Sequence, residues 1–185
     1  EQRYTDWLRE KICIPKRKGK RIVDGDIHPL LFPFQRDLVR WALRKGQAAI
    51  FADCGLGKTF CQLEWARLLG GRTLIVCPLS VASQTIAEGE KIGIEVRFCG
   101  WPIEQDGIWI TNFQKLSHFL GAHYDNIIID ESSILKSLDG KTRTMLLKEF
   151  THIPYRLCCT ATPSPNDLAE LANHCEFLGI MSRAE

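Results

Sequence analysis

The sequence predicts an α/β fold, with a mostly parallel sheet covered by helices on both faces. Short apolar runs alternate with segments of helical periodicity along most of the chain. The runs lack polar alternation, which indicates strands that are buried on both sides. A glycine-rich loop joins the first run directly to a helical segment, and the ligands of such sheets gather at the carboxyl ends of the strands.

Six apolar runs are predicted to form the strands, because each is short and rich in β-branched or aromatic residues or cysteine. They cover residues 48–51, 74–77, 96–98, 108–110, 127–129 and 156–159. Before the first run, Phe34, Leu38, Trp41 and Ala42 recur at helical spacing and predict an amphipathic helix.

Five further helices are predicted after the first strand, at about 58–69, 81–91, 112–120, 140–149 and 166–178. The last has a start signal, with Ser164 at the cap, Pro165 in the first turn and Asp167 three residues after the cap. A short helix is also predicted near the start of the chain, over residues 4–11.

The composition is that of one globular domain with its own core. The chain has 185 residues, of which 45% are hydrophobic and 25% charged, without repeats or low-complexity tracts. No apolar run approaches the ~18 residues that span a bilayer, and the first residues do not resemble a signal peptide. We therefore expect a cytoplasmic protein with no membrane partner.

Eight cysteines are present, and their spacing argues against a zinc site, because no two are separated by two to four residues. Cys77, Cys158 and Cys159 lie in apolar runs, where free cysteine behaves as a small buried hydrophobe. Reduced core cysteines are expected, in agreement with an intracellular protein.

The net charge of +2 does not by itself indicate a nucleic-acid partner. The exception is a basic run at residues 16–21, with five positive charges in six positions. Such a run is either a solvated segment or a contact for phosphates, and the sequence leaves both open.

The loop after the first predicted strand has the pattern of a phosphate loop that binds a nucleotide. Gly55 and Gly57 let the backbone curl so that successive N–H groups point at phosphate oxygens, and the following helix adds its positive end. Lys58 would reach the β- and γ-phosphates, and the Thr59 hydroxyl would hold Mg²⁺. Ala52 departs from the glycine of the general pattern, which weakens the match only slightly.

A pair of carboxylates follows the fifth predicted strand. Asp130 would hold Mg²⁺ through water, and Glu131 would polarise the water that attacks the γ-phosphate. Acidic residues after a strand also serve as caps, so the pair gains its meaning from the loop upstream.

Several ordered motifs resemble those of one family. Asp53-Cys54-Gly55-Leu56-Gly57-Lys58-Thr59, Asp130-Glu131 and Thr160-Ala161-Thr162-Pro163 resemble motifs of the amino-terminal, RecA-like lobe of superfamily-two helicases, with the greatest similarity to Swi/Snf-type translocases. The segments 74–80 and 110–113 are similar to the family's motifs Ia and Ib. The resemblance spans residues 29–178 and implies a P-loop NTPase lobe that uses ATP and Mg²⁺ to move on nucleic acid, with DNA as the expected track.

The resemblance also implies roles for single residues. Gln35 would read adenine, because one amide can both donate to and accept from the base edge, although a lone glutamine at a helix start is often a solubilising residue. Cys54 and Leu56 would join the glycines in holding the nucleotide. Thr160 and Thr162 would couple the nucleotide to nucleic acid, unless they only end a strand.

The nucleic-acid contacts implied by the resemblance are Ser80, Thr111 and Asn112, which would grip the backbone without reading sequence. Three aromatics could stack on bases, but packing is the default explanation for each. They are Trp101, Trp109 and Phe113.

Two departures limit what the resemblance implies. Ser132-Ser133 follow the carboxylates where many relatives carry other residues, which leaves open the choice between strand separation and translocation. A second RecA-like lobe, whose arginine can be worth ~10³–10⁵ in rate, does not follow within the 185 residues. We expect an N-terminal extension at 1–28, a lobe at 29–185, weak turnover alone, and a second lobe elsewhere in the chain or in a partner.

Two other functions are weighed against the motor. A phosphate-loop kinase of a small molecule gives no role to the segments at 74–80 and 160–163, and no acceptor pocket is recognisable. A regulatory module that binds nucleotide or DNA without turnover of its own remains the alternative, because the second lobe is not part of the sequence.

Overall fold

The computed structural model describes residues 19–136, 140–164 and 171–180. Within these residues a single sheet of six parallel strands has the order β1-β6-β5-β2-β4-β3. The strands are β1 (Gln47–Phe51), β2 (Arg72–Cys77), β3 (Val96–Phe98), β4 (Gly107–Asn112), β5 (Asn126–Asp130) and β6 (Tyr155–Thr160). All six predicted strands are confirmed.

Five α-helices connect and cover the strands in the described residues. They are α1 (Pro33–Lys45), α2 (Lys58–Leu69), α3 (Leu79–Lys91), α4 (Gly140–Phe150) and α5 (Leu171–Leu178). Short 3-10 helices lie at Asp24–Asp26, Phe113–Phe119 and Ser132–Lys136. The segment predicted as a helix at 112–120 is therefore 3-10 rather than α, and its first turn is capped by the Asn112 side chain.

The hydrophobic core has two parts, one on each face of the sheet. Residues that alternate along the strands, such as Ile128 against Ile127 and Ile129, point to opposite parts. One part is closed by α1, α2 and α3, and the other by the 3-10 helix at 113–119 with α4 and α5. The predicted mostly parallel sheet with helices on both faces is confirmed.

The segment before α1 packs onto α2. Ile27 is buried, and the His28 N–H donates to the buried Glu64 carboxylate at 2.7 Å. Lys20, from the basic run, donates to the main-chain carbonyl of Leu68 at 2.7 Å. This hydrogen bond ties Lys20 to the end of α2. Positions 16–18 of the basic run lie outside the described residues, as do the predicted helix at 4–11 and the cap residues Pro165 and Asp167.

The seven cysteines of the described residues are all free thiols, and five of them are buried. Burial raises the pKa of Cys61 to about 12 and that of Cys99 to about 11, so these thiols stay protonated. Among the described residues no helix has both the length and the apolar character needed to cross a bilayer.

Candidate nucleotide site

The parallel strands bring the predicted site residues to one edge of the sheet. At the carboxyl ends of β1, β6 and β5, in that spatial order, lie the predicted phosphate loop, the Thr160 segment and the Asp130-Glu131 pair. The loop and the carboxylates are thus separated by a single strand, β6. Segments distant in sequence meet at this edge, as expected for a parallel sheet.

The predicted phosphate loop turns sharply between β1 and α2. Gly55 and Gly57 have φ angles of +80° and +72°, in the region that favours glycine. A β-carbon at Gly57 would lie 2.3 Å from Gln35 Nε2, so a side chain there would displace the Gln35 amide. The residues Cys54, Gly55 and Leu56 are exposed at the surface of the loop.

The Lys58 ammonium lies against the loop itself. Its Nζ donates to the main-chain carbonyls of Ala52 at 2.8 Å and Asp53 at 3.2 Å. The lysine thereby holds both ends of the turn together through charge-assisted hydrogen bonds. Thr59 is the next residue of α2 and is partly exposed.

Gln35 joins α1 to this loop with both ends of its amide. Its Oε1 accepts from the Phe32 N–H at 2.8 Å, which caps the start of α1, and its Nε2 donates to the Leu56 carbonyl at 3.0 Å. The side chain is only 3% exposed. Gln35 therefore borders the loop, and its amide is oriented by two backbone partners.

Asp130 is the last residue of β5, and its side chain is buried. Its Oδ2 accepts from Gln62 Nε2 at 3.1 Å, and its Oδ1 accepts from the Glu131 N–H at 3.1 Å. Burial raises the pKa of the Asp130 carboxyl, and the two hydrogen bonds oppose the rise. Burial with the nearby Asp130 charge also raises the pKa of Cys77 to about 12, so this neighbouring thiol is neutral.

Glu131 adopts a left-handed backbone, with φ of +52°, and is the one residue other than glycine with positive φ in the described ranges. A side chain in this conformation is strained. The turn places Glu131 Oε2 3.5 Å from the Thr160 hydroxyl, while that hydroxyl accepts from the Thr162 N–H at 3.1 Å. Strained backbone at a cluster of polar groups is typical of functional sites.

The predicted coupling residues are placed differently from each other. Thr160 is fully buried and touches Glu131, whereas the Thr162 side chain is exposed and its contact with Thr160 is made by the backbone. A link from Glu131 through Thr160 to the surface at Thr162 therefore exists in the structure.

The three residues predicted to contact nucleic acid do not share one surface. Ser80 is exposed at the start of α3. Thr111 is 0% exposed, and the buried Asn112 side chain accepts from the Lys115 N–H at 3.1 Å. Because these two side chains are buried, a contact with nucleic acid at Thr111 or Asn112 would be made by the main chain, and their role stays a prediction.

Two residues near the site were missed by the sequence reasoning. Gln62 lies one turn after Lys58 on α2, so its helical spacing placed it on the same face and could have found it. His174 of α5 contacts Ser132 Oγ through Nε2 at 3.0 Å and meets the Phe51 ring edge-on. It lies 42 residues from Ser132, and no local pattern reveals such a pair.

The oxygen donors at this edge suit Mg²⁺ better than they suit a metal ion that takes all its ligands from protein side chains. Among the described residues no group of three or more His, Cys, Asp or Glu side chains could hold a metal ion. Mg²⁺ takes one or two protein oxygens, with water and phosphate completing its shell. The Thr59 hydroxyl and the Asp130 carboxylate are oxygen donors of this kind.

Comparisons with known proteins agree with this architecture. Residues 103–183 match the family model of the SNF2-related domain. The fold is similar to the Sulfolobus solfataricus SWI2/SNF2 ATPase core in complex with dsDNA, with a TM-score of 0.74, 22% identity, and coverage of 90% of this chain and 40% of that one. No curated protein matches the sequence.

A second solved structure, the UvsW helicase from bacteriophage T4, is similar with a TM-score of 0.61 and 14% identity. The match covers 98% of this chain and 66% of that one. The chain thus spans less than two thirds of either structure. The family match covers 81 of the 185 residues, and the chain as a whole shares the fold of both solved structures.

Proposed function

We propose that this chain binds ATP with Mg²⁺ at the carboxyl edge of β1, β6 and β5, and hydrolyses it to drive movement along nucleic acid, with DNA as the track. The observation that carries the proposal is the meeting of the glycine loop with Asp130 and Glu131 across one intervening strand. Phosphoryl transfer needs this combination of a phosphate cradle and a carboxylate that orients water.

The nucleotide would enter at the loop between β1 and α2. The loop amides and the positive end of α2 would face the phosphates. Lys58 would exchange the carbonyls of Ala52 and Asp53 for phosphate oxygens, since an ammonium binds an anion more strongly than a neutral carbonyl. The adenine edge would lie at Gln35, whose amide keeps one donor hydrogen beyond the bond to Leu56.

Hydrolysis would depend on the two carboxylates. Thr59 and Asp130 would hold Mg²⁺, which supplies charge neutralisation at the phosphates when it is bound. Glu131 would orient and deprotonate the attacking water, and the Thr160 hydroxyl, 3.5 Å from Glu131 Oε2, would fix the orientation of that carboxylate. A second RecA-like lobe would supply the arginine that stabilises the transition state.

Nucleic acid would run along the same edge beyond β5. Ser80 follows β2, the next strand in spatial order, and its exposed hydroxyl suits a phosphate contact. The S. solfataricus structure that shares this fold is a complex with dsDNA, which supports DNA as the track here. Backbone contacts of this kind predict low sequence specificity.

ATP hydrolysis with and without DNA or RNA tests the proposal, in the chain alone and in a form joined to a second RecA-like lobe. We expect turnover that nucleic acid stimulates, stronger in the two-lobe form. Glu131→Gln should retain ATP binding and lose at least 100-fold in turnover, the order of effect of a general base. Glu149→Gln, an exposed residue of α4, is the matched control.

The outcomes separate the motor from its alternative. Normal hydrolysis by Glu131→Gln would remove Glu131 from the mechanism. Hydrolysis that no nucleic acid stimulates would exclude a motor. ATP binding without turnover in the two-lobe form would instead favour the regulatory module.

A further inference from the structure

A cluster of aromatic and basic side chains, all exposed except for the half-buried Lys115, lies at the far end of the same sheet edge. It consists of Phe98, Trp101, Lys115 and His118, and is called the edge patch below. Phe98 ends β3, Trp101 follows in the loop, and the other two lie on the 3-10 helix after β4. The strands β4 and β3 come directly after β2 in spatial order, so the patch lies beyond Ser80 on the same edge.

Trp101 presents a flat aromatic surface to solvent. Its indole stacks on the His118 ring at a centroid distance of 4.1 Å and an angle of 8°. The Gly100 carbonyl lies 2.9 Å from His118 Nδ1 and fixes the imidazole beneath the indole. Trp101 is nevertheless 64% exposed, unlike Trp109 and Phe113, which are buried. Packing therefore accounts for those two aromatics but leaves one face of Trp101 open.

A positive charge is held beside this surface. Lys115 Nζ lies 6.0 Å from the centroid of the Phe98 ring, which is itself 44% exposed. The ammonium also lies 3.0 Å from where a β-carbon of Gly100 would be, so it sits over the turn that leads to Trp101. Asn112 caps the 3-10 helix that carries Lys115 and His118, because its Oδ1 accepts from the Lys115 N–H.

The neighbouring charged side chains leave the Lys115 ammonium available to bind a phosphate. On the adjoining strand, Arg97 is paired with Glu95 at 2.7 Å, and the Arg97 guanidinium lies over Trp109. The exposed acids of the loop after Trp101 are Glu104 and Asp106. Glu104 is three residues from the indole, and Asp106 is adjacent to β4 at its amino end, on the opposite edge of the sheet.

We infer that the edge patch is a stacking site for a nucleobase of the strand that passes Ser80, with Lys115 contacting the neighbouring phosphate. This inference rests on the proposed function. An open indole face backed by a second ring suits any base, because every base has a flat π-surface. An ammonium beside it suits the phosphate that each base carries. The site would grip single-stranded or unpaired nucleotides without reading their sequence.

The test compares two probes in fluorescence anisotropy titrations with the protein. One is a fluorescein-labelled single-stranded DNA, and the other has the same sugar-phosphate length without bases. Trp101→Ala should weaken binding of the first about tenfold and leave binding of the second unchanged. Trp101→Phe should restore most of the affinity. Trp41→Ala is the control, because Trp41 is 43% exposed on α1.

Lys115→Gln gives an independent readout. It should weaken the binding of both probes and reduce the slope of log affinity against log salt concentration by about the amount of one phosphate contact. Together with Trp101→Ala, it separates the base contact from the charge contact.

Three results would overturn the inference. If wild type binds DNA and Trp101→Ala binds it equally well, the patch is not a base site, while the motor stands. If no oligonucleotide binds to wild type, both fail. If Trp101→Ala instead abolishes a concentration-dependent dimer seen by sedimentation without changing DNA affinity, the patch is an interface between copies of the chain.

Discussion

Gln35 donates its amide to the Leu56 carbonyl at 3.0 Å, so the first helix is tied to the tip of the glycine loop. The same amide caps its own helix at Phe32, which fixes the direction in which it points. The position of the loop and the start of α1 are therefore linked through one side chain. A movement of the loop when phosphates bind would therefore move Gln35, the residue proposed to read the base.

Replacing Gln35 by Ala is expected to lower the affinity for ATP by about tenfold, since one or two hydrogen bonds to the base and one to the loop are lost. The preference for ATP over GTP should fall by a similar factor. Calorimetric titration with each nucleotide measures both effects. Gln84→Ala on the exposed face of α3 is the control. An unchanged ratio of ATP to GTP affinity would show that Gln35 serves only the loop.

Replacing Glu131 by Gly is expected to raise stability while abolishing ATP turnover. Glycine adopts a φ of +52° without the strain of a side chain, which is worth about 1 kcal/mol. Glu131→Ala loses the same carboxylate but keeps the strain, so the difference between the two variants isolates the backbone. We expect the glycine variant to melt about 2–4 °C above the alanine variant. Equal melting temperatures would show that the turn is relaxed.

The raised pKa of Asp130 predicts a stability that depends on pH. The ordinary value is 3.8, and burial moves it upward in the folded chain. The contribution of this carboxyl is fully present below 3.8 and is lost as pH rises through the folded-state pKa. Asp130→Asn should therefore be more stable than wild type at neutral pH without Mg²⁺, and the gain should shrink as pH falls.

Thermal melts across this pH range measure the effect, with Asp106→Asn in an exposed loop as the control. A constant difference at all pH values would mean that Asp130 does not titrate abnormally. Addition of Mg²⁺ with ATP should favour wild type instead, because the charged carboxylate then has a cation to bind.

Labelling of Cys54 offers a measure of nucleotide binding that does not require turnover. Cys54 is exposed in the loop, whereas the thiols of Cys61 and Cys77 are buried with raised pKa values and should stay unreactive. ATP with Mg²⁺, at about ten times its dissociation constant, should slow maleimide labelling of Cys54 about tenfold. Peptide mass mapping resolves the site, and the half-buried Cys175 is the internal control. Equal labelling with and without ATP would contradict binding at this loop.

The fold could be predicted from sequence because its signals are local. Each of the six buried strands is a short apolar run, and α2 was predicted at its observed bounds, Lys58–Leu69, since the glycine loop marks where it begins. The segment predicted as a helix at 112–120 is instead a 3-10 helix at Phe113–Phe119, a difference in hydrogen-bond spacing that the periodicity of a short segment does not resolve.

The candidate site was only partly accessible in this way. The phosphate loop and the Asp130-Glu131 pair can be recognised from local sequence patterns. Their roles remain predictions. The bond between Gln62 and Asp130, the contact of His174 with Ser132 and the burial of Thr111 depend on which strands become neighbours. Strand order is set by long-range packing, and a single sequence carries no direct record of it.

The uniform direction of the strands leaves the opposite edge of the sheet clear of every residue discussed as functional. The turn before β6 lies there and carries the exposed His152. A dye, spin label or surface tether attached at a cysteine introduced at this position would lie just before β6, a full strand length from the proposed nucleotide site. A label at this position would let single-molecule measurements follow the lobe without disturbing the proposed site.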